Sequence, residues 1–135
     1  MAIARALGVL GVGVDLVEVD RVEEVLKRHP ERFARKVFTE AEAAYCRRSV
    51  RAAERFAARY AAKEAVMKAL GTGWGRGVNF RDIEVVRAPS GRPSIQLSGA
   101  ARGLARQLGV DRIDLSLTHG RDLAVAVVVF SGVRG

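Results

Sequence analysis

Apolar and polar positions along this chain repeat with two different periods, and each change of period marks a new element. Residues 9–15 form a short apolar, β-branched run and predict a buried strand with an acid, Asp15, at its C-terminal end. Asp20 and Glu23 have capping-box spacing and open a short helix carrying Val22, Val25 and Leu26, which His29 and Pro30 end. A helical turn or two follows from Pro30. Thr39 and Glu42 form a second capping box, opening a helix to about Arg48. Residues 55–70 are Ala-rich and free of Gly and Pro until Gly71, so they predict one long helix stopped by that glycine. Residues 83–87 and 93–97 alternate on either side of a Pro-Ser-Gly-Arg turn and predict a hairpin. Ser98 caps a helix to about Leu108, closed by Gly109. Residues 113–119 alternate and residues 123–130 are continuously apolar, so the short connection between them predicts a second antiparallel hairpin. No repeat, linker or low-complexity segment interrupts this order. The expected fold is a single α+β domain over residues 1–135, with an antiparallel sheet packed against a long central helix and shorter helices.

On the long helix, at 100° per residue, Arg55, Arg59 and Lys63 follow one side. Glu64 and Lys68 point nearly opposite, into an inner stripe with Ala53, Ala57, Tyr60 and Ala61. Taken alone, Glu64 and Lys68 make an ordinary i, i+4 pair worth a few tenths of a kcal/mol. Three polar residues nevertheless stand where the apolar pattern does not predict them: Asp15, Glu64 and His119. Two carboxylates together with phosphate oxygens and water make a normal Mg²⁺ site. Lys68 would supply a counter-charge for a bound phosphate, and phosphoryl-type transfer needs little beyond a metal, fixed positive charge and a positioned nucleophile. Each residue also has a plain alternative: Asp15 as a turn cap, Glu64 and Lys68 as a surface pair, His119 as a turn residue.

A net charge of +8 calls for an acidic or phosphorylated partner, whether nucleic acid, nucleotide-type ligand or acidic protein. Eleven of the 23 basic residues lie between Arg21 and Arg59 against six acids, which suggests a basic face. A small basic nucleic-acid-binding protein is the main rival reading. With aromatic content of 6% there is no base-stacking cluster, and neither a helix-turn-helix nor a zinc pattern is present. The lone Cys46 excludes an intrachain disulfide and fits a reducing compartment, so the expected location is cytoplasmic. The run 7–14 leads straight into acids and does not read as a signal peptide, and no apolar run reaches the ~18 residues needed to span a bilayer. Gly11 and Gly13 lack the third glycine of a dinucleotide fingerprint. The loop 71–77 carries four glycines without a Walker ending, a weak phosphate signal.

Four stretches in order carry a family resemblance: Gly11-Val-Gly-Val-Asp15 followed by Arg21, Phe38-Thr-Glu-Ala-Glu42, Arg59-Tyr-Ala-Ala-Lys-Glu-Ala-Val-Met-Lys68, and Ser116-Leu-Thr-His119. Over nearly its whole length the chain resembles the holo-acyl carrier protein synthases, the small bacterial type of 4′-phosphopantetheinyl transferase. The departures are mild. Tyr60 stands where Phe or Trp is usual, expected to alter only packing, and about seven residues precede the usual start of the first strand.

The resemblance implies that Asp15 and Glu64 hold Mg²⁺ against the pyrophosphate of coenzyme A and that Lys68 binds or neutralises those phosphates. A serine of apo-acyl carrier protein then attacks the phosphate bearing the pantetheine, with Glu64 or a metal-held water as base. It further implies that His119 and Thr118 contact coenzyme A, and that the loop beginning at Gly71 and the Gly91–Pro93 turn line the same site. An acidic carrier protein would dock on the first helical region through Arg21, Arg28, Arg32 and Lys36, with Val25 and Phe33 among them. The implied assembly is a homotrimer with sites between subunits, in which His119 serves a ligand held by another chain's Asp15 and Glu64. No nucleic acid and no membrane are expected as partners. A catalytically idle relative is a further rival, opposed by the retention of Asp15, Glu64 and Lys68.

Overall fold

The computed structural model describes residues 7–73 and 75–134. In chain order the elements are β1 (Gly8–Glu18), α1 (Val19–Arg28), α2 (Pro30–Val37), α3 (Glu40–Arg47), α4 (Ala52–Leu70), a 3-10 turn (Phe80–Asp82), β2 (Ile83–Arg87), β3 (Pro93–Leu97), α5 (Gly99–Leu108), β4 (Val110–His119) and β5 (Leu123–Gly132). β1, β5 and β4 form an antiparallel sheet in that order, and β2 and β3 form a separate hairpin. The α+β expectation holds. The continuous apolar sequence of β5 follows from its central position: Ala124, Ala126, Val128 and Phe130 point inward and are fully buried.

Helix α4 lies across the inner face of this sheet, and its closeness explains the glycines of β1. A Cβ on Gly11 would sit 2.6 Å from the Ala69 carbonyl oxygen, and one on Gly13 would collide with the Ala65 carbonyl. The Gly-x-Gly therefore permits close approach of two backbones. The helix stops where expected, at Gly71 in the left-handed conformation with φ 78°. On its other flank the helix meets α1 to α3 through a second core of Val22, Phe38, Cys46, Phe56 and Ala57. Burial pushes the Cys46 thiol up to about 11, so this cysteine acts as a small hydrophobe.

Several local expectations change. β1 continues past Asp15 to Glu18, so Asp15 lies within the strand, opposite Ala126. The Asp20 capping box does not form, because α1 already begins at Val19 behind Glu18. The second box does form: the Thr39 hydroxyl accepts from the Glu42 amide at 3.2 Å, and the Thr39 amide donates to Glu42 Oε1 at 2.9 Å. Ser98 precedes α5 without a capping hydrogen bond from its side chain.

The expected faces of α4 hold for Ala57 and Ala61, which are buried, but not for the charged residues or Tyr60. Of residues 56–70, all are buried except Tyr60, Glu64 and Lys68. These three form the open edge of a helix otherwise enclosed by sheet and helices, while Arg59 and Lys63 point inward. Lys63 and Glu42 form a fully enclosed ion pair at 2.7 Å. The lysine also donates to the Phe80 carbonyl at 3.0 Å and to the Ile83 carbonyl, and Glu42 also accepts from the Val85 amide at 2.9 Å. Burial lowers the Lys63 pKa and the neighbouring Glu42 charge opposes that pull. The pair fastens α3, the 3-10 turn and β2 to the middle of α4.

Candidate active site

From Gly11 onward, past the register shift after Val9, the odd positions of β1 face α4, so Asp15 continues the line begun by Gly11 and Gly13 and meets the helix where side chains again have room. Lys68 donates to Asp15 Oδ1 at 3.1 Å and to the Val14 carbonyl at 2.9 Å. One turn back, Glu64 and Tyr60 stand as i, i+4 neighbours on the side of α4 that is not fully buried. Burial first, then the charge of Glu64, its hydrogen bond and the charge of Asp15, push the Tyr60 pKa well above its usual value. Asp15, Tyr60 and Glu64 line one cavity of about 390 Å³, which Glu18, Arg21 and Phe33 complete.

The cavity thus presents two hard carboxylates, with a lysine paired to Asp15 and a phenol one helical turn from Glu64. Among the described residues no group of three or more His, Cys, Asp or Glu forms a metal cage. A two-carboxylate site suits Mg²⁺ bound together with phosphate and water, because that ion keeps most of its shell outside the protein. The donor set therefore fits the group expected from the sequence.

His119 lies elsewhere. Its Nδ1 is 3.2 Å from Glu54 Oε1, and Arg51 Nε is 3.8 Å from the same carboxylate's Oε2. Glu54 precedes Glu64 by ten residues of α4, roughly 15 Å at the rise of a helix. Within one chain, then, His119 is not brought to the acid cavity. At the same end of α4 the Tyr45 ring carries the guanidinium of Arg55 at 4.3 Å, of Arg59 at 4.2 Å and of Arg87 at 5.2 Å. Arg59 Nε is buried and has no hydrogen-bond partner among the described residues. The arrangement is a concentration of positive charge suited to an anion.

A family model described as "4′-phosphopantetheinyl transferase superfamily" matches residues 11–128. The chain belongs to that superfamily. It is 46% identical over 121 residues to holo-[acyl-carrier-protein] synthase of Solibacter usitatus, covering 90% of this chain and 97% of the relative. Among solved structures, the holo-[acyl-carrier-protein] synthase of Neisseria meningitidis superposes with a TM-score of 0.83 at 30% identity, covering 91% of this chain and 98% of that one. The synthase of Bacillus anthracis, solved in complex with CoA (3′,5′-ADP), gives 0.76 at 34% identity over 94% and 99% of the two chains.

In this phosphopantetheinyl transferase chain the other sequence-derived candidates fall in three places. Arg21 and Phe33 line the acid cavity. Arg21 is exposed with Glu18 at 3.5 Å, Arg28 pairs with Glu24 at 2.7 Å, and Arg32 and Lys36 are exposed nearby on α2. Gly71 closes α4 three residues beyond Lys68; Trp74 of the following loop lies outside the described residues, as do those before Leu7. The Gly91–Pro93 turn is not at the acid cavity of its own chain: Arg92 and Pro93 line a separate hollow with Arg112 and Asp114 of β4. Thr118 and His119, neighbours on β4, point to opposite faces of the sheet, Thr118 to the outer one. Sequence reasoning missed Glu42, Lys63 and the Tyr45 cluster as interacting groups. Only the Thr39–Glu42 capping box pointed toward any of them.

Proposed function

We propose that this chain transfers the 4′-phosphopantetheine group of coenzyme A to a serine of apo-acyl carrier protein and releases adenosine 3′,5′-bisphosphate. The observation that carries this reading is the meeting of Asp15 and Glu64 on one cavity edged by Arg21 and Phe33, with Lys68, 53 residues from Asp15 in sequence, bonded to the Asp15 carboxylate. The relatives' names as holo-[acyl-carrier-protein] synthases and the CoA complex of one of them support the choice of substrates.

Asp15 and Glu64 are the residues that would hold Mg²⁺. When bound, the ion would neutralise charge on the coenzyme A pyrophosphate and polarise the phosphate that is attacked. Lys68, with its side chain half exposed, can turn from Asp15 to a phosphate oxygen. The serine oxygen of the carrier forms the new bond to the phosphorus that bears the pantetheine. The bond from that phosphorus to the nucleotide oxygen breaks, and the serine proton leaves to a base in the cavity. Arg21, Arg28 and Arg32 form the docking face for an acidic carrier, beside the cavity that Arg21 and Phe33 line. The cytoplasm is the setting, in keeping with a single cysteine, and no described helix is long and apolar enough to cross a membrane.

The active assembly is a homotrimer with sites between subunits. Val12, Val14 and Leu16 on the outer face of β1 are 56%, 52% and 56% exposed beside Val125, Val127 and Val129 of β5, an apolar surface of the kind that a second copy covers. Thr118 sits at the edge of the same face, and His119 with the Tyr45 cluster would then serve the phosphates of a ligand held by a neighbour's acids. Replacing Asp15 or Glu64 by Ala should abolish transfer to the carrier while far-ultraviolet circular dichroism stays unchanged. Undiminished transfer by either variant would remove that residue from the metal site and favour an idle relative or a different chemistry.

A further inference from the structure

Beside the Glu54 end of α4, three arginines from two elements converge on an aromatic ring that belongs to a third. The guanidinium carbons of Arg55 and Arg59, one turn apart on α4, stand 4.3 Å and 4.2 Å from the centroid of the Tyr45 ring, and that of Arg87, the last residue of β2, stands 5.2 Å from it. Tyr45 lies on α3, half-buried against the core that α3 and α4 share. Like charges gathered this closely repel one another. Among the described residues no carboxylate forms an ion pair with any of the three. Glu54, the acid at this end of the helix, is taken by His119 and Arg51.

Arg59 is the sharpest case, being only 4% exposed with an Nε that has no hydrogen-bond partner among the described residues. A buried cation is ordinarily paired with an acid. Here the compensation comes from the electron-rich face of the phenol ring, which attracts guanidinium groups above all. Arg55 has a second hold, because it also donates to the Tyr45 carbonyl at 3.0 Å. The ring therefore matters most to Arg59 and Arg87. On the reading given above, the acid cavity and Lys68 take the pyrophosphate of coenzyme A. One phosphate of that molecule is left over, the ribose 3′-monoester, which carries close to two negative charges at neutral pH. Such a dianion is matched by several guanidiniums together.

We infer that Tyr45 is a positioning residue: its ring gathers Arg55, Arg59 and Arg87, without acids, into a receptor for the ribose phosphate of coenzyme A. The ring acts through the guanidiniums and not on the ligand itself. The inference rests on the reading of this cluster as a site for the ligand's phosphates.

The test compares the Kd of coenzyme A with that of 3′-dephospho-coenzyme A, each titrated calorimetrically into the full-length protein with Mg²⁺. Wild-type protein should bind coenzyme A the more tightly. Tyr45→Leu keeps an apolar side chain against the core and removes the aromatic face, and it should cut that preference about 10-fold, the scale of a desolvated cation–π contact. The Kd of dephospho-coenzyme A should stay within twofold of wild type, which a general packing defect would not allow. Tyr45→Phe keeps the face and should keep the preference. Arg87→Met, at an exposed position, should lower the preference without touching the core, and it decides the matter if Tyr45→Leu does not fold. An unchanged preference in Tyr45→Leu or Arg87→Met, equal weakening of both ligands in Tyr45→Leu, or a loss in Tyr45→Phe as large as in Tyr45→Leu overturns the role of the ring while leaving the phosphate site standing. A wild-type protein that binds the two ligands equally overturns the phosphate reading of the cluster, and the proposal with it.

Discussion

Lys68 divides its ammonium between the Asp15 carboxylate and the Val14 carbonyl, so the cavity is charge-paired before any phosphate enters it. A phosphate then competes for a cation already aimed at the site. Arg21 is placed differently: it edges the same cavity but its side chain stands 80% exposed, with Glu18 at 3.5 Å as its partner among the described residues. Exposed charges of this kind act mainly on encounter with an oppositely charged protein. Arg21→Ala should therefore raise the KM for carrier protein several-fold, with a smaller effect on coenzyme A, and the difference from wild type should shrink as salt is added. Steady-state kinetics at two ionic strengths measures this, and equal weakening of both substrates would count against the docking role. Asp15 and Glu64 were legible as candidates because each is polar where the surrounding pattern is apolar. The partial exposure of Tyr60 beside Glu64 was not legible, since periodicity places a side chain on a face without saying what covers that face.

At the scale of elements, α4 is held from three directions, and the Lys63–Glu42 pair is its fastening to α3 and β2. Removing one partner of such a pair strands a buried charge, which costs about 3–5 kcal/mol. Lys63→Met should lower the thermal midpoint by the corresponding amount. In combination with Glu42→Leu the loss should be less than the sum of the two single losses, because the second change removes the stranded carboxylate. Thermal or urea unfolding of the four proteins tests it, and strict additivity would show that the two side chains do not depend on each other. The period changes along the chain marked strands, hairpins and helix ends well, down to Gly71 and the Thr39 capping box. They failed on the environment of α4. A helix buried almost all round has no contrast between faces, so sequence alone does not single out its open edge of Tyr60, Glu64 and Lys68. The Glu42–Lys63 contact spans 21 residues, beyond any local spacing rule.

At the scale of the molecule, two surfaces remain to be matched with partners: the basic region of α1 and α2, and the apolar outer face of β1 and β5. The unbroken apolar sequence of β5 signalled burial, but only the register with β1 revealed that Val14 and Val127 stand side by side on the outside. On the proposed trimer, Val14→Asp should give monomers in light scattering and, by parting His119 from a neighbour's acids, reduce transfer at least 10-fold. A monomeric variant with full activity would mean that one chain holds a complete site. Movement of phosphopantetheine from coenzyme A to a carrier serine is read in the mass of the carrier. After incubation of the wild-type protein with Mg²⁺, coenzyme A and apo-acyl carrier protein, the carrier should gain the mass of one phosphopantetheine. An unchanged mass across several carrier proteins would contradict the account.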